Sequence, residues 1–171
     1  KVYEFSSYIA INISSPNTKG LRELSNNKFL GDLLGIIKDK QNKLSESFDY
    51  VPIYIKISPD EKPEDLEKIC KSIADNGIDG IIASNTTAVH NDKNGYGGLS
   101  GSPLKNKANE KLSFIKEIVG DKVSIIASGG VMSASKKKKK IDAGADLVQI
   151  YTGFIFEGPK LIRDILIADS S

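Results

Sequence analysis

The sequence predicts an α/β fold in which five strands form one parallel sheet with helices between them. Short apolar runs of strand length recur five times along the 171 residues. Stretches with apolar residues at helical spacing separate them. Strand, helix, strand repeated four times requires right-handed crossovers and hence parallel neighbours.

Taken in order, the strand runs are Tyr8–Ile13, Val51–Ser58, Gly80–Ser84, Ser124–Ser128 and Leu147–Tyr151. The first helical pattern places Leu30, Leu33, Leu34, Ile37 and Leu44 on one stripe. The second uses Leu66, Ile69, Cys70 and Ile73, with Pro63 suited to a first helical turn. Leu112, Ile115 and Ile118 mark the third, and Leu161, Ile162, Ile165 and Leu166 the last. Asn76-Gly77 and Ala143-Gly144 are helix stops.

The strands also have an inside and an outside. Ile53, Ile55 and Ile57 share one face, and Tyr54, Lys56 and Ser58 the other. Ile9, Ile11 and Ile13 likewise oppose Ala10 and Asn12. Isoleucines toward covering helices and polar groups toward a centre fit a barrel. A doubly wound sheet is more often apolar on both faces. A complete eight-stranded barrel needs about 200 residues or more. The expectation is a single domain over 1–171, a partial (β/α)8 TIM barrel of about five C-terminal β/α units. Lys1 runs at once into strand-like sequence without an initiator Met, which predicts numbering that begins inside a longer protein.

Composition narrows the class. A net charge of +2 gives no reason to expect nucleic acid. One cysteine, Cys70, excludes an internal disulfide; it lies on a helix's apolar stripe and reads as core. No apolar run approaches the roughly 18 residues of a membrane span. No Cys, His and Asp cluster has metal-ligand spacing. His90, the one histidine, falls in a polar loop and reads as a surface residue.

The chemistry gathers where strands become loops. Asn12 to Arg22 crowds hydrogen-bonding side chains after the first strand, where α/β barrels keep their sites. Lys56 sits in an otherwise apolar strand and faces the same way as Asn12. It is either aimed at an anion or electron-rich ring, or it snorkels to solvent. Ser84-Asn85-Thr86-Thr87 follows the third strand. It offers donors and acceptors for a planar polar substrate, or forms a turn or cap. Gly97-Gly98-Leu99-Ser100-Gly101 precedes the fourth strand and Ser128-Gly129-Gly130 ends it. Tyr151-Thr152-Gly153 ends the fifth. Paired glycines are tight turns, or let backbone amides approach a phosphate. The loops after a barrel's last two strands often hold one.

Lys136 to Lys140 begin the helix after the fourth strand. Five consecutive residues cover more than one turn, so a helix packed on a sheet must turn one or two of these lysines inward.

These segments resemble class 2 dihydroorotate dehydrogenases, the quinone-linked flavoenzymes of pyrimidine synthesis. The resemblance is carried by Asn12-Ile13-Ser14-Ser15-Pro16-Asn17-Thr18, Ile55-Lys56-Ile57-Ser58-Pro59-Asp60 and Ala83-Ser84-Asn85-Thr86-Thr87. Gly97-Gly98-Leu99-Ser100-Gly101, Ala127-Ser128-Gly129-Gly130 and Gln149-Ile150-Tyr151-Thr152-Gly153 complete it, in the family's order across nearly the whole chain. The first segment is highly specific; a double-glycine turn alone would be weak.

The resemblance implies an FMN-binding (β/α)8 barrel that oxidises (S)-dihydroorotate to orotate and passes electrons to a quinone. It implies Ser15 as the base that removes the C5 proton while hydride passes from C6 to the flavin. Asn12, Asn17, Asn85 and Thr86 match substrate contacts. Asn12, Lys56, Ser84, Gly101, Gly130, Tyr151 and Thr152 match FMN contacts. No metal is implied. Serine rather than cysteine at position 15 favours the quinone-linked class over the fumarate- or NAD-linked class 1 enzymes. In the quinone-linked class an N-terminal extension forms the quinone tunnel and touches the membrane. The implied location is peripheral, on the cytoplasmic face of a bacterial inner membrane or on the mitochondrial inner membrane of a eukaryote. That extension and the first barrel strands have no counterpart in this sequence. The alternatives are a class 1 type flavoenzyme, or an inactive fragment that binds phosphate or FMN weakly.

Overall fold

The computed structural model describes residues 1–14, 27–89 and 97–169. After a 3-10 turn at Tyr3–Phe5, five strands alternate with helices: β1 (Ile9–Asn12), α1 (Asn27–Ser45), β2 (Ile53–Lys56), α2 (Pro63–Asp75) and β3 (Gly80–Ala83). A 3-10 turn at Ser102–Leu104 leads into α3 (Lys105–Val119), then β4 (Ser124–Ser128), α4 (Ala134–Asp142) and β5 (Leu147–Gln149). Two helices close the chain, α5 (Thr152–Glu157) and α6 (Pro159–Asp169). All four strand pairings are parallel, and the sheet order follows the chain, β1-β2-β3-β4-β5. This singly wound order is that of a barrel wall. A doubly wound sheet reverses direction partway.

Right-handed crossovers in one direction put the helices on one face. There the predicted isoleucines meet them. Ile53, Ile55 and Ile57 are buried with Leu66, Ile69, Cys70 and Ile73 of α2, Leu30 and Leu34 of α1, and Leu112 and Ile115 of α3. Cys70 is fully enclosed, and burial pushes its thiol up to about 12. The opposite face is more open. Ala10 and Asn12 are exposed, Tyr54 and Lys56 half-buried. Strand β3 departs from the alternation and is buried on both faces. Gly80 is required there, because a Cβ would stand 2.1 Å from the Tyr54 ring and 2.8 Å from the Ser124 carbonyl.

The sheet curls about this face. Tyr8, just before β1, packs edge-on against Tyr54 at 5.6 Å between ring centroids. Its hydroxyl also accepts from Gln149 Nε2 of β5 at 2.9 Å. The first and last strands are thus linked across the concave side.

At the N-terminal end of the strands Asp79 is the anchor. Its carboxylate accepts from the Tyr50 hydroxyl, from Gln41 Nε2 (2.8 Å) and from the Ile53 amide (2.8 Å). Burial alone would raise this carboxyl, but the donors outweigh it and hold it below the usual range. Burial and the neighbouring carboxylate push Tyr50 up to about 12. Asp79→Ala should cost about 2–3 kcal/mol, since it strands donors already taken from water. The carboxylate's contribution is present above the ordinary carboxylate pKa and is lost as pH falls through the lowered one. Urea unfolding at neutral and acid pH measures both effects; equal stability of variant and parent at neutral pH would discard the anchor.

Two expectations are refined by packing. In α6, Leu161 and Ile165 are buried, but Ile162 and Leu166 are exposed (44% and 60%), so the buried stripe is narrower than predicted. The lysine run does turn inward, at Lys140, whose residue is 1% exposed. Lys137 instead pairs with both oxygens of Asp169 (2.7 Å each), and Lys138 with Asp142 one turn on. Helix α5 was not foreseen: Tyr151-Thr152-Gly153 leads straight into it.

Candidate active site

Register decides which side chains meet. Asn12 pairs with Lys56, Lys56 with Ile82, Ile82 with Ile126, and Ser128 with Gln149. With side chains alternating along a strand, Asn12, Lys56, Ser84, Ser128 and Gln149 fall on one face, Asn12 and Lys56 level with Ile82, and Ser84, Ser128 and Gln149 two residues further along. They are the C-terminal rim of the concave side. There they line a cavity of ≈ 470 Å³, closed by Asn85, Thr86, Gly98, Ser100, Gly101, the Gly129-Gly130 turn and Tyr151 to Gly153. Among residues expected at the site, Asn12, Lys56, Ser84, Asn85, Thr86, Gly101, Gly130, Tyr151 and Thr152 all line it. Tyr151 stands at the rim, 80% exposed. Ser15 and Asn17, like Arg22 and His90, lie outside the described residues.

One wall of the cavity is a hydrogen-bonded unit. Asn12 Oδ1 accepts from the Ser14 amide (3.1 Å), the Ser14 hydroxyl (3.0 Å) and Asn85 Nδ2 (3.3 Å). Asn85 Nδ2 also donates to Ser14 Oγ (3.2 Å), and Asn85 Oδ1 accepts from the Thr86 amide (2.8 Å). With its carbonyl oxygen committed, Asn12 is left to offer its amide N–H groups to a ligand.

Lys56 supplies the positive charge. Its ammonium has no hydrogen-bond or ion-pair partner among the described residues, and burial lowers its pKa. A bound anion would restore it.

On the far side the glycines are needed where backbone approaches closely. Gly130 has φ +75, and a Cβ there would stand 2.5 Å from the Lys105 Cα. At Gly98 a Cβ would stand 1.8 Å from Thr86 Oγ1, so the 97–101 loop lies directly on Thr86. Thr152 Oγ1 donates to Ser100 Oγ at 2.9 Å, tying that loop to the end of β5. Ser14, Ser100, Ser128 and Gln149 were quoted within motifs but given no role. Only strand register, which puts Ser128 and Gln149 side by side on the face that carries Lys56, could have singled out these two.

A polar cavity at the C-terminal ends of consecutive parallel strands, under glycine-rich loops, is the active-site arrangement of a TIM-barrel enzyme. Comparison with known proteins agrees. The sequence model of the family described as "Dihydroorotate dehydrogenase" matches residues 1–168. The chain is 49% identical to the quinone-linked dihydroorotate dehydrogenase of Aliivibrio salmonicida, over 97% of this chain and 52% of that protein. It is 48% identical to that of Vibrio parahaemolyticus, with the same coverage. A crystal structure of the Eimeria tenella enzyme with ferulenol superposes with a TM-score of 0.90 at 33% identity, covering 96% of this chain and 49% of that one. The ligand-free Eimeria enzyme gives 0.87, at 33% identity, over 96% of this chain and 51% of that one. The chain belongs to the dihydroorotate dehydrogenase family, whose members are flavin-dependent dehydrogenases. It spans about half the length of the curated relatives it matches.

The residues present fit a flavin mononucleotide. The cavity is of cofactor size. It joins an unpartnered ammonium and amide donors on one wall to a bare glycine turn on the other. No helix among the described residues is long and apolar enough to cross a membrane.

Proposed function

We propose that the protein oxidises (S)-dihydroorotate to orotate, using FMN and a quinone acceptor, in de novo pyrimidine synthesis. The observation that carries this reading is the shared wall of Asn12, Lys56, Ser84 and Asn85, in a chain of this family. A bound FMN would supply the acceptor for the hydride from C6 and the electron route to a quinone.

The protein's part is to hold and to polarise. Asn12, Asn17, Asn85 and Thr86 bind the substrate's polar edge, and the Asn12–Ser14–Asn85 network fixes the geometry of Asn12 and Asn85 before substrate arrives. Ser15 takes the C5 proton on its hydroxyl oxygen while its own hydroxyl proton passes through a relay to solvent. Asn12, Lys56, Ser84, Gly101, Gly130, Tyr151 and Thr152 hold the cofactor. Lys56 places its charge where electron density grows during transfer, and partial burial strengthens its effect. In this reading the 171 residues are the C-terminal part of an FMN-binding barrel. The quinone and a peripheral contact with the inner membrane engage the region outside them.

The test is anaerobic mixing of the purified protein with dihydroorotate. The yellow flavin band should bleach, and in the full-length parent protein added quinone should restore it faster than fumarate or NAD does. A flavin that dithionite bleaches and dihydroorotate does not would refute the reading. Lys56→Met should weaken FMN retention by about 10- to 100-fold, as expected for losing a charged hydrogen-bond donor. Equilibrium dialysis reads this directly, and retention equal to the parent's would remove Lys56 from the cofactor's contacts.

A further inference from the structure

Asp60 follows β2 in the turn before α2. It lies outside the cavity, and its side chain is 10% exposed. One carboxylate joins three parts of the fold. Oδ1 accepts from the Thr87 hydroxyl (2.5 Å) and from Lys107 Nζ of α3 (2.5 Å). Oδ2 accepts from the Ala88 amide (2.8 Å). Lys107 also donates to Thr87 Oγ1 (3.0 Å), which closes a three-membered cluster. Asp60 is itself held by its amide's bond to Ser58 Oγ (3.1 Å).

The grip falls on the residue after Asn85 and Thr86. Thr87 is 3% exposed and forms a two-bond antiparallel bridge with Leu99, Thr87 N–H to Leu99 O at 3.1 Å and Leu99 N–H to Thr87 O at 2.7 Å. The 97–101 loop is thereby drawn onto Thr86. Two walls of the cavity are thus tied to one partly buried ion pair. Asn85 is held at its base by its amide's bond to the Ile57 carbonyl (2.9 Å), and beyond it the loop's backbone is fixed by the Thr87–Leu99 bridge and the Asp60 cluster.

We propose that Asp60, Lys107 and Thr87 are positioning residues that set the Asn85–Thr86 loop and the 97–101 loop for substrate, acting from behind the cavity and touching no ligand. This rests on the assignment of Asn85 and Thr86 to dihydroorotate made above. A partly buried charge pair differs from a hydrophobic contact in that its geometry is directional. Asp60 must receive the Thr87 hydroxyl and the Ala88 amide together, which fixes the loop's rotation as well as its distance.

The variants are Thr87→Val, which keeps the shape and deletes the hydroxyl, Thr87→Ser, which restores it, and Lys107→Met. In single-turnover flavin reduction, Thr87→Val and Lys107→Met should raise the dihydroorotate concentration for half-maximal rate about tenfold, the scale of a small misplacement. Thr87→Ser should stay near the parent, and FMN content should not change in any of them. Amide exchange at Ala88 and Leu99 should quicken in Thr87→Val. Unchanged half-saturation in both Thr87→Val and Lys107→Met overturns the proposal. So does parallel loss of FMN and of substrate affinity, which would mark a general folding role. If the parent itself is not reduced by dihydroorotate, the reading of function fails instead. Exchange then decides, and unchanged protection of Ala88 and Leu99 overturns the clamp by itself.

Discussion

Ser15→Ala should slow reduction of the bound flavin by dihydroorotate by about 100- to 10,000-fold, the usual worth of a positioned general base. A neutral hydroxyl is a weak base, so its effect depends on being held where the C5 proton leaves. The residues just before it are so held. Ser14 is 3% exposed and bonded to both Asn12 and Asn85. Binding should suffer less than rate, because Asn12, Asn85 and Thr86 remain. Stopped-flow reduction over a range of dihydroorotate concentrations separates the two. A parent-like limiting rate would remove Ser15 from proton abstraction. Ser15→Cys supplies a control: a thiol with an ordinary pKa of about 8.5 should recover part of the rate, increasingly so as pH rises toward that value.

Lys140→Met should stabilise the fold by about 3 kcal/mol at neutral pH. The Lys140 ammonium is buried and has no hydrogen-bond partner among the described residues. Burial pushes its pKa from 10.5 down to about 8. Below about 8 the folded state must hold an unpaired charge away from water, and the full penalty applies. As pH rises from about 8 to 10.5 the unfolded state binds more protons than the folded one, so stability increases. A fall from 10.5 to about 8 corresponds to about 3 kcal/mol. Methionine keeps the stem's packing and removes the charge. Urea unfolding of parent and variant should therefore differ most at neutral pH and converge near pH 10.5. Parallel curves across that range would mean that the ammonium reaches water.

The alternation Ile53, Tyr54, Ile55, Lys56 was legible because one face of β2 is buried and the other is not, so hydropathy follows the pleat. The same rule puts Lys56 on the same face as Asn12, and register adds that the two are neighbours. Helix α5 was not legible. Its six residues are too short for a helical period, and Gly153 in its first turn reads as a loop. The Gly153 position is instead dictated by contact, since a Cβ there would meet the Val131 carbonyl at 2.1 Å. That one lysine of the run must turn inward followed from helix geometry; that it is Lys140 depended on how α4 seats against β5 and α6. Gln149 and Ser100 are short polar residues beside turns, where polarity is ordinary, and only their neighbours in space make them part of the site. The Asp60 cluster was beyond reach. Its partners lie 27 and 47 residues away, and nothing local distinguishes this aspartate from a loop carboxylate.

The sheet's order repeats the order of the chain. Each strand therefore finds its neighbour across a single connecting helix, and no pairing waits for a distant segment to arrive. Loop closure for every step is of similar and modest length, so the entropic barrier is spread evenly along the chain. Assembly can start at any adjacent pair and grow toward either edge. Each added strand brings one more polar side chain to the rim, so the cavity wall grows with the sheet, whichever pair forms first.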